Sequence, residues 1–543
     1  MLNSLEQRSE SPGLDMTASF GPFSVFQVDL CGAQSIANNQ NTSKPQPYEG
    51  SSNVLVDCEE RDGLSLRNID GDIEHWNPSP RNAVAPLFSP ASLTYQLSEC
   101  PGLWINKLLS HYTLRITDIS QPINHPQNPY RSIHAQYAME VWTESLNDKL
   151  LKPQTGYSNR RVAFYSILAS AAFHLRGFSI DKRPNWKHYD YIGKTYRWKA
   201  LLYMQRAMEE PSFDAESHCA RMSAFHTLVD SDILEGTSGE VFTHLQACHQ
   251  IRQLYLSKTP RPSPDNPRIR QLDTNSFFIE MIALTTAHHR PELWQFSSYV
   301  DAASLIDTPF ATTDTCLEHT YGITSSIAST IFLINKFWYY TNSATIYDEL
   351  YACELGHAIA AVAIELRTWT PLSESYASVA IEENTSLSLA MSLASSFCYS
   401  ALIYFHSCFL FDPPQSDESL FSRLSHDTLL ALERAECESI QMSKVGAMIS
   451  WPAFVAGCYS PPELRQRWTR YWSTLLKFRI GSIQAAWEIV QRVWRKERRE
   501  ETATTEDRSQ VYVTEQATFE TYCCIEPIWT WFVKDSGATI VAL

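Results

Sequence analysis

One predicted helix carries histidine and cysteine side chains at a spacing that a metal could use. His244, Cys248 and His249 place imidazole and thiol groups about one helical turn apart, as zinc ligands can be. Cys248 also continues an apolar stripe with Val241 and Leu245, where a small buried thiol belongs. We therefore expect these residues to pack in a core, and we predict no metal ligands.

The other possible metal ligands, and the search for phosphate-binding and metal-binding motifs, also predict no bound metal or cofactor. The adjacent pairs His288-His289 and Cys523-Cys524 have diverging side chains, and neither has a second pair at zinc-ribbon spacing. The sequence contains no C-x-x-C, no Walker A loop, no G-x-G-x-x-G fingerprint and no H-E-x-x-H helix. We predict no cofactor.

The run Gly236-Thr237-Ser238-Gly239 is similar to the G-x-S-x-G elbow that carries a nucleophilic serine, but it is one residue too short. That elbow also needs a preceding strand, whereas residues 225–234 are predicted as helix and loop. Thr237 and Glu240 instead fit a capping box, in which each side chain bonds the backbone of the other residue at a helix start. We predict no catalytic residue and no enzymatic activity.

Basic residues concentrate near the C-terminus, in two groups on predicted helices. The groups are Arg465, Arg467, Arg470, Lys477 and Arg479, then Arg492, Arg495, Lys496, Arg498 and Arg499. A solvated face near a helix C-terminus explains them, because cations there complement the helix dipole. Nuclear import or phosphate contact is the alternative interpretation.

Composition excludes several classes of protein. The chain has 543 residues, 60 acidic against 44 basic, and a net charge of −16, which argues against a broad nucleic-acid-binding surface. Its 44% hydrophobic content predicts a large core, with enough chain for two or more domain-sized cores. The 13 cysteines lack a repeating spacing, and the first ten residues lack a signal-peptide core, so we expect reduced thiols in the cytosol or nucleus.

Apolar residues repeat at helical spacing from about residue 101 onward. Three predicted helices precede residue 210 and are marked by these stripes: Trp104, Leu108, Tyr112 and Ile116, closed by Pro122; Phe164, Leu168, Ala171 and Leu175, with Gly177 as a left-handed cap; and Trp198, Leu201, Leu202 and Met208, after Tyr191. Later stripes are Val241, Leu245, Cys248 and Ile251; Leu464, Trp468, Trp472 and Leu475; and Ile483, Trp487, Val490 and Trp494. The sequence contains no repeat with a period of 20 to 50 residues, so it does not support a regular solenoid.

The stretch between Glu383 and Asp412 contains no charged residue and is long enough to cross a bilayer. Its serines and His406 would each need a partner in lipid. We predict a buried helix of a large helical core, with no membrane contact.

The first hundred residues have a different character. Serine, asparagine, glycine and proline recur there in short clusters, so we expect 1–100 to be mostly disordered or loosely docked. Residues 57–76 interleave acidic with apolar side chains, a composition found in activation segments and also in solvated linkers. The predicted architecture is this segment followed by an all-α body over 101–543, a large irregular helical array.

Several short runs, taken in order, resemble the regulatory domain of fungal zinc binuclear cluster transcription factors, in the subgroup that includes arginine-metabolism regulators. The runs are Leu108-Leu109-Ser110-His111-Tyr112, Asn128-Pro129-Tyr130-Arg131, Ala169 to Leu175, Lys199-Ala200-Leu201, Glu235 to Gly239 leading into His244 to Cys248, Tyr321-Gly322-Ile323 and Trp451 to Cys458. Together they span most of 101–535. The resemblance implies an all-α regulatory region that controls RNA polymerase II transcription in the nucleus.

One feature of that family is missing from the sequence. Its members read DNA through six closely spaced cysteines that bind two zinc ions, yet only Cys31, Cys58 and Cys100 precede residue 101. A truncated gene model and a natural variant would both produce such a chain. We expect no sequence-specific DNA reading by the chain as given.

Three functions follow as hypotheses. The first is a transcription regulator whose partners are the transcription machinery or co-regulator proteins, with a second copy, a heterodimer partner or a small-molecule inducer as further candidates. The second is an interaction scaffold derived from that family. The third, an all-α metabolic enzyme, lacks clustered metal-binding carboxylates.

Overall fold

The regular secondary structure of the chain is helical, as predicted. The computed structural model describes residues 101–146, 156–179, 185–209, 214–236, 240–258, 266–286, 306–310, 316–342, 349–376, 379, 384–409, 417–442, 449–504 and 527–536. No strand occurs within these ranges. The predicted N-terminal segment, 1–100, lies outside them, as do the His288-His289 and Cys523-Cys524 pairs.

The first half of the described body contains nine α-helices and two π-helical turns. They are α1 (Pro101–His111), a π turn (Tyr112–Ile116), α2 (Thr117–Ile119), a second π turn (Tyr130–His134), α3 (Ala135–Leu146), α4 (Tyr157–Ser179), α5 (Asn185–Met208), α6 (Ala215–Glu235), α7 (Val241–Lys258), α8 (Pro267–Thr286) and α9 (Leu317–Tyr321). Tyr112 and Ile116 are buried as their stripe predicts, and the π turn follows directly on α1.

The second half continues in helices. They are α10 (Ser325–Asn342), α11 (Glu349–Thr368), α12 (Asn384–Cys408), α13 (Asp417–Gln441), α14 (Trp451–Cys458), α15 (Arg465–Leu475), α16 (Gly481–Thr504) and α17 (Ile528–Ser536), with short 3₁₀ turns at Pro371–Ser373, Pro462–Leu464 and Leu476–Phe478. Both tryptophan stripes are confirmed, because Trp468, Trp472, Trp487 and Trp494 are all buried.

Two buried helices organise the first half. Helix α4 packs against α3, α5 and α6, and all its residues from Arg161 to His174 are buried. Helix α6 also contacts α7, α8 and α16. Its buried residues run from Ser217 to Asp232 without interruption. A helix buried all round, rather than along one stripe, belongs to the centre of a large core.

Helix α8 connects the two halves through hydrogen bonds near its C-terminal end. Thr285 accepts two of them, one at Oγ1 from Trp451 Nε1 (2.8 Å) and one at its carbonyl oxygen from Trp529 Nε1 (3.1 Å). Asn335 donates from Nδ2 to the Met281 carbonyl (3.1 Å) and accepts from the Tyr404 hydroxyl at 2.7 Å. Helices α10, α12, α14 and α17 are thereby tied to α8.

Helix α12 is the one described helix that is long and apolar enough to cross a membrane. Within residues 386–408, 72% of the most apolar window is buried inside the protein. Its serines bond internally, with Ser400 donating to the Pro452 carbonyl (3.1 Å) and Ser396 to that of Leu393 (2.7 Å). The prediction of a buried core helix is confirmed.

Two sequence predictions about α4 and α5 are wrong. Gly177 does not end α4, which continues to Ser179; a Cβ at this position would lie 2.8 Å from both the Cβ and the carbonyl oxygen of Arg479. Gly177 is therefore explained by a close approach between segments. The buried stripe of α5, which begins at Asn185, consists of Ile192, Tyr196, Ala200, Met204 and Ala207, whereas Leu202 is exposed.

The segment from Phe478 to Gly481 joins the C-terminal helices to α4 and α6. His174 donates from Nε2 to the Phe478 carbonyl (2.8 Å), so its Nδ1 is left to accept from His111 Nε2 at 2.9 Å. Burial lowers the pKa of both imidazoles to about 4. Gly481 packs directly on the backbone of Gly236, where a side chain has no space. This segment depends on close backbone contact.

Replacing Gly177 by alanine tests that close approach. Glycine to alanine within a helix normally stabilises a protein. Here the new Cβ would meet Arg479, so we expect Gly177→Ala to lower the free energy of unfolding by about 1–3 kcal/mol. Gly102→Ala is the matched control, because its Cβ would have only an ordinary contact of 3.8 Å with Trp142. Urea unfolding of both variants measures the effect, and a Gly177→Ala protein at least as stable as wild type would contradict the packing.

Candidate functional site

A cavity of about 50 Å³ lies where α6 meets segments that are distant in sequence. Tyr130, Tyr321 and Trp451 line it, and each belongs to one of the short runs that carry the family resemblance. Asp230 of α6 lines the same cavity, as do Phe278 and Phe397. The structure thus brings together runs that are scattered over more than 300 residues of sequence.

Asp230 is the ionisable group of this cavity. Its side chain is 8% exposed, and its Oδ2 atom has no hydrogen-bond partner. Burial raises the pKa of Asp230 from 3.8 to about 8, since a carboxylate loses its hydration in such a place. The carboxyl group is consequently protonated at neutral pH and uncharged.

Three tyrosines face this carboxyl group. Tyr112, Tyr130 and Tyr321 are each buried, and burial is the main cause that raises the pKa of each well above 10. The negative charge that Asp230 can carry comes next for Tyr112 and Tyr130, whereas Tyr130 has the larger effect on Tyr321. All three phenols are therefore neutral hydroxyl groups at physiological pH. The Tyr112 hydroxyl has no hydrogen-bond partner.

Unusual backbone positions two of these tyrosines. Tyr112 and Tyr130 each begin one of the π-helical turns. Such turns are rare and occur often at functional sites. The Asn128 side chain fixes the second turn, because its Oδ1 accepts from the Tyr130 amide (2.9 Å) while its Nδ2 donates to the Thr117 carbonyl at 3.3 Å. Asn128 follows a turn at 126–127, and Pro129 is already helical, with φ of −61° and ψ of −33°.

Aromatic stacking and a glycine position the opposite wall. Tyr321 stacks on Phe278 with ring centroids 4.2 Å apart, and Phe397 stacks on Trp451 at 5.7 Å. Gly322 has φ of 72°, and a Cβ there would lie 2.7 Å from Leu393. Glycine is therefore required directly after Tyr321, where the chain turns out of α9.

A second buried cluster surrounds Arg197. Its guanidinium donates to Asp232 Oδ1 from Nε (2.9 Å) and Nη2 (2.7 Å), and it also donates to the Glu240 carboxylate. Burial raises the pKa of Asp232 to about 7, and Arg197 counteracts that shift. Glu240 therefore engages Arg197 with its carboxylate, while Thr237 and the rest of the predicted capping box lie outside the described residues.

The Arg197 cluster also contains donor atoms at a spacing that a metal could use. One atom each from Asp232, Glu240 and His244 lies within 4.8 Å of the others. His244 has neither ring nitrogen hydrogen-bonded, and burial lowers its pKa to about 3. The Arg197 guanidinium already binds both the Asp232 and the Glu240 carboxylates, so we assign the cluster as a buried ion network.

The structure places His244, Cys248 and His249 in three different environments. His244 lies beside Asp232, with Nε2 3.6 Å from Oδ2. Cys248 is fully buried next to Ser276 and Glu280, and burial raises its pKa to about 12. His249 instead lies 3.5 Å from Arg252. Cys248 packs in the core, as expected.

Two of the C-terminal arginines make ion pairs. Arg467 pairs with Glu433 at 2.5 Å, and Arg492 pairs with Asp535. Arg465 lies over the Trp494 ring, 5.4 Å from its centre. Arg495 and Lys496 are exposed. These contacts agree with a largely solvated face, and nuclear import or phosphate contact stays an untested alternative.

Asp230 is the residue that sequence reasoning missed. The segment 225–234 was predicted as helix and loop, but α6 continues as helix to Glu235. The sequence does contain a signal for Asp230. Its spacing of four residues from His226 and from Leu234 places it on the same helix face as these two buried residues. An ionisable residue on an apolar stripe marks either a paired structural group or a site.

Comparison with known proteins gives one match. The sequence model of the family described as "Fungal specific transcription factor domain" matches residues 107–535. This range is most of the chain and includes all the residues that line the cavity. A search of curated proteins found no match, and neither did a search of solved structures.

The titration of the buried Asp230 carboxyl group makes the free energy of unfolding depend on pH. The unfolded chain ionises Asp230 above pH 3.8, whereas the folded protein keeps it protonated up to about pH 8, so stability falls as pH rises between these values. Asp230→Asn mimics the protonated form. We expect it to raise the free energy of unfolding by roughly 2 to 4 kcal/mol at pH 7 and to have little effect near pH 4.

Asp118→Asn is the control for this measurement. Asp118 forms an exposed pair with Arg131 (3.1 Å), and such pairs contribute little to stability. Its change should be small and similar at both pH values. Denaturant unfolding at pH 4 and pH 7 decides the outcome, and an Asp230→Asn protein that is destabilised at pH 7 would show that the carboxylate is ionised and satisfied.

Proposed function

Because the chain belongs to the family of fungal-specific transcription factor domains, we propose that it is a nuclear regulator of RNA polymerase II transcription. The observation that carries this proposal is the family match over residues 107–535, which coincides with the all-helical body. In this proposal residues 101–543 form the regulatory domain and residues 1–100 form a separate segment of low order.

The domain acts through protein contacts in this proposal. Its partners are the transcription machinery or co-regulator proteins. The net charge of −16 does not favour a nucleic-acid partner for the whole chain. Three widely spaced cysteines before residue 101 are too few for a binuclear zinc cluster, which supports regulation without DNA reading by this chain. The resemblance of the short runs supports a place near the arginine-metabolism regulators.

The cavity supports regulation rather than catalysis. Its one ionisable carboxyl group faces neutral tyrosines, and an activated nucleophile with an adjacent base is not found at this cavity among the described residues. A buried cavity between the helices of a regulatory domain can instead couple occupancy to the stability of that domain.

A tethering experiment tests the regulatory role. The full chain is fused to an unrelated DNA-binding module and expressed in fungal cells with a reporter gene that carries the module's binding site. We expect the fusion to enter the nucleus and to change reporter transcription several-fold relative to the module alone. A fluorescent tag on the unfused chain reports its localisation.

Matched glycine variants connect the response to the fold. Gly322→Ala forces a Cβ against Leu393 at a left-handed position, so it should reduce the response, whereas Gly102→Ala should retain it. Exclusion of the chain from the nucleus, together with an unchanged reporter, would overturn the proposal and favour a cytosolic interaction scaffold.

A further inference from the structure

We propose that the cavity at Asp230 binds a small primary ammonium cation, such as methylammonium. The inference concerns the helical domain itself and does not depend on the regulatory role. It depends on three properties of the cavity: unsatisfied acceptors, aromatic walls and size.

Unsatisfied acceptor atoms surround the cavity. Asp230 Oδ2 is buried without a hydrogen-bond partner. Asp230 lines the cavity together with Thr320, whose hydroxyl is paired with the Cys316 sulfur. The Tyr112 hydroxyl, which faces Asp230, is likewise unpaired. Leaving a buried polar atom unpaired is costly, and native proteins rarely do so. A ligand that donates several hydrogen bonds would satisfy these atoms together.

The walls of the cavity select for a cation. The rings of Phe278, Phe397 and Trp451 line it beside the two tyrosines. The negative π face of an aromatic ring attracts ammonium groups, most strongly where water is excluded. A carboxylate within such an aromatic enclosure supplies the countercharge. An anionic ligand would meet repulsion from the carboxylate.

The volume of about 50 Å³ limits the ligand. A water-sized group needs roughly 10–15 Å³ of such space, so about three to five of them fit. Ammonium, methylammonium and ethylammonium are within this limit, whereas tetramethylammonium is too large and too poor a donor. Ligands this small bind with dissociation constants in the millimolar range at best.

Binding of a cation must compete with the proton of Asp230. The titratable groups that face Asp230 are Tyr112, Tyr130 and Tyr321, all of which keep their protons at neutral pH, and Cys316 lies next to the last two. Burial raises the pKa of the Cys316 thiol to about 12, so this group is also neutral. Among the described residues that face the cavity, Asp230 is consequently the group that changes charge, and ammonium affinity should fall as pH decreases from 8 to 6.

The purified full chain provides the test. Its melting temperature is measured at pH 8 in methylammonium chloride and in sodium chloride at equal ionic strength, with tetramethylammonium chloride as the size control. We expect a rise of about 2 °C or more in methylammonium alone at concentrations well above the dissociation constant. Saturation-transfer NMR on the methyl group of methylammonium detects contact with the aromatic walls.

Variants assign the effect to the cavity. Asp230→Asn should abolish both the stabilisation and the saturation transfer, Thr320→Val should weaken both, and Asp118→Asn should change neither. The proposal is overturned if wild type behaves alike in methylammonium and sodium, if tetramethylammonium stabilises equally, or if Asp230→Asn keeps the response. None of these readouts involves transcription, so their failure would leave the regulatory proposal standing.

Discussion

Burial of α6 along most of its length is the constraint on which the rest of this structure depends. From Ser217 to Asp232 every side chain of this helix is enclosed by protein. Polar groups on such a helix cannot use water and must find partners in other helices. Asp232 meets this requirement by accepting two hydrogen bonds from Arg197, and Ser223 meets it by bonding His134 Nδ1 at 2.7 Å. The surrounding helices are positioned in part by these requirements.

Some buried polar atoms of α6 have no hydrogen-bond partner, among them His226 Nε2, Ser231 Oγ and Asp230 Oδ2. Asp230 lies two residues from Asp232. Its carboxyl group faces tyrosine hydroxyls instead of a cation, and it lies at a cavity instead of in close packing. The π turns at Tyr112 and Tyr130 and the left-handed Gly322 are local departures from regular helix beside this residue. π turns are rare and occur often at functional sites, and two of them lie beside this carboxyl group.

The sequence predicts much of this architecture where helices are amphipathic. Trp468 with Trp472, and Trp487 with Trp494, lie on buried stripes that follow directly from their spacing. Spacing fails where a helix is buried all round, as in α4 and α6, because no polar face distinguishes the inner side. Gly177 was misread as a cap since its true partner, Arg479, is about 300 residues away. The special position of Asp230 also cannot be predicted from the sequence. Whether its carboxyl group has a hydrogen-bond partner depends on residues that only the folded core brings together.

The protonation state of Asp230 tests the account most directly. Infrared difference spectra between wild type and Asp230→Asn isolate the carboxyl stretch of this one residue, which differs between the acid and the carboxylate. At pH 6 we expect a protonated-acid band that shifts in heavy water and disappears as the pH is raised past about 8. A carboxylate band already present at pH 6, with no acid band, would contradict this expectation.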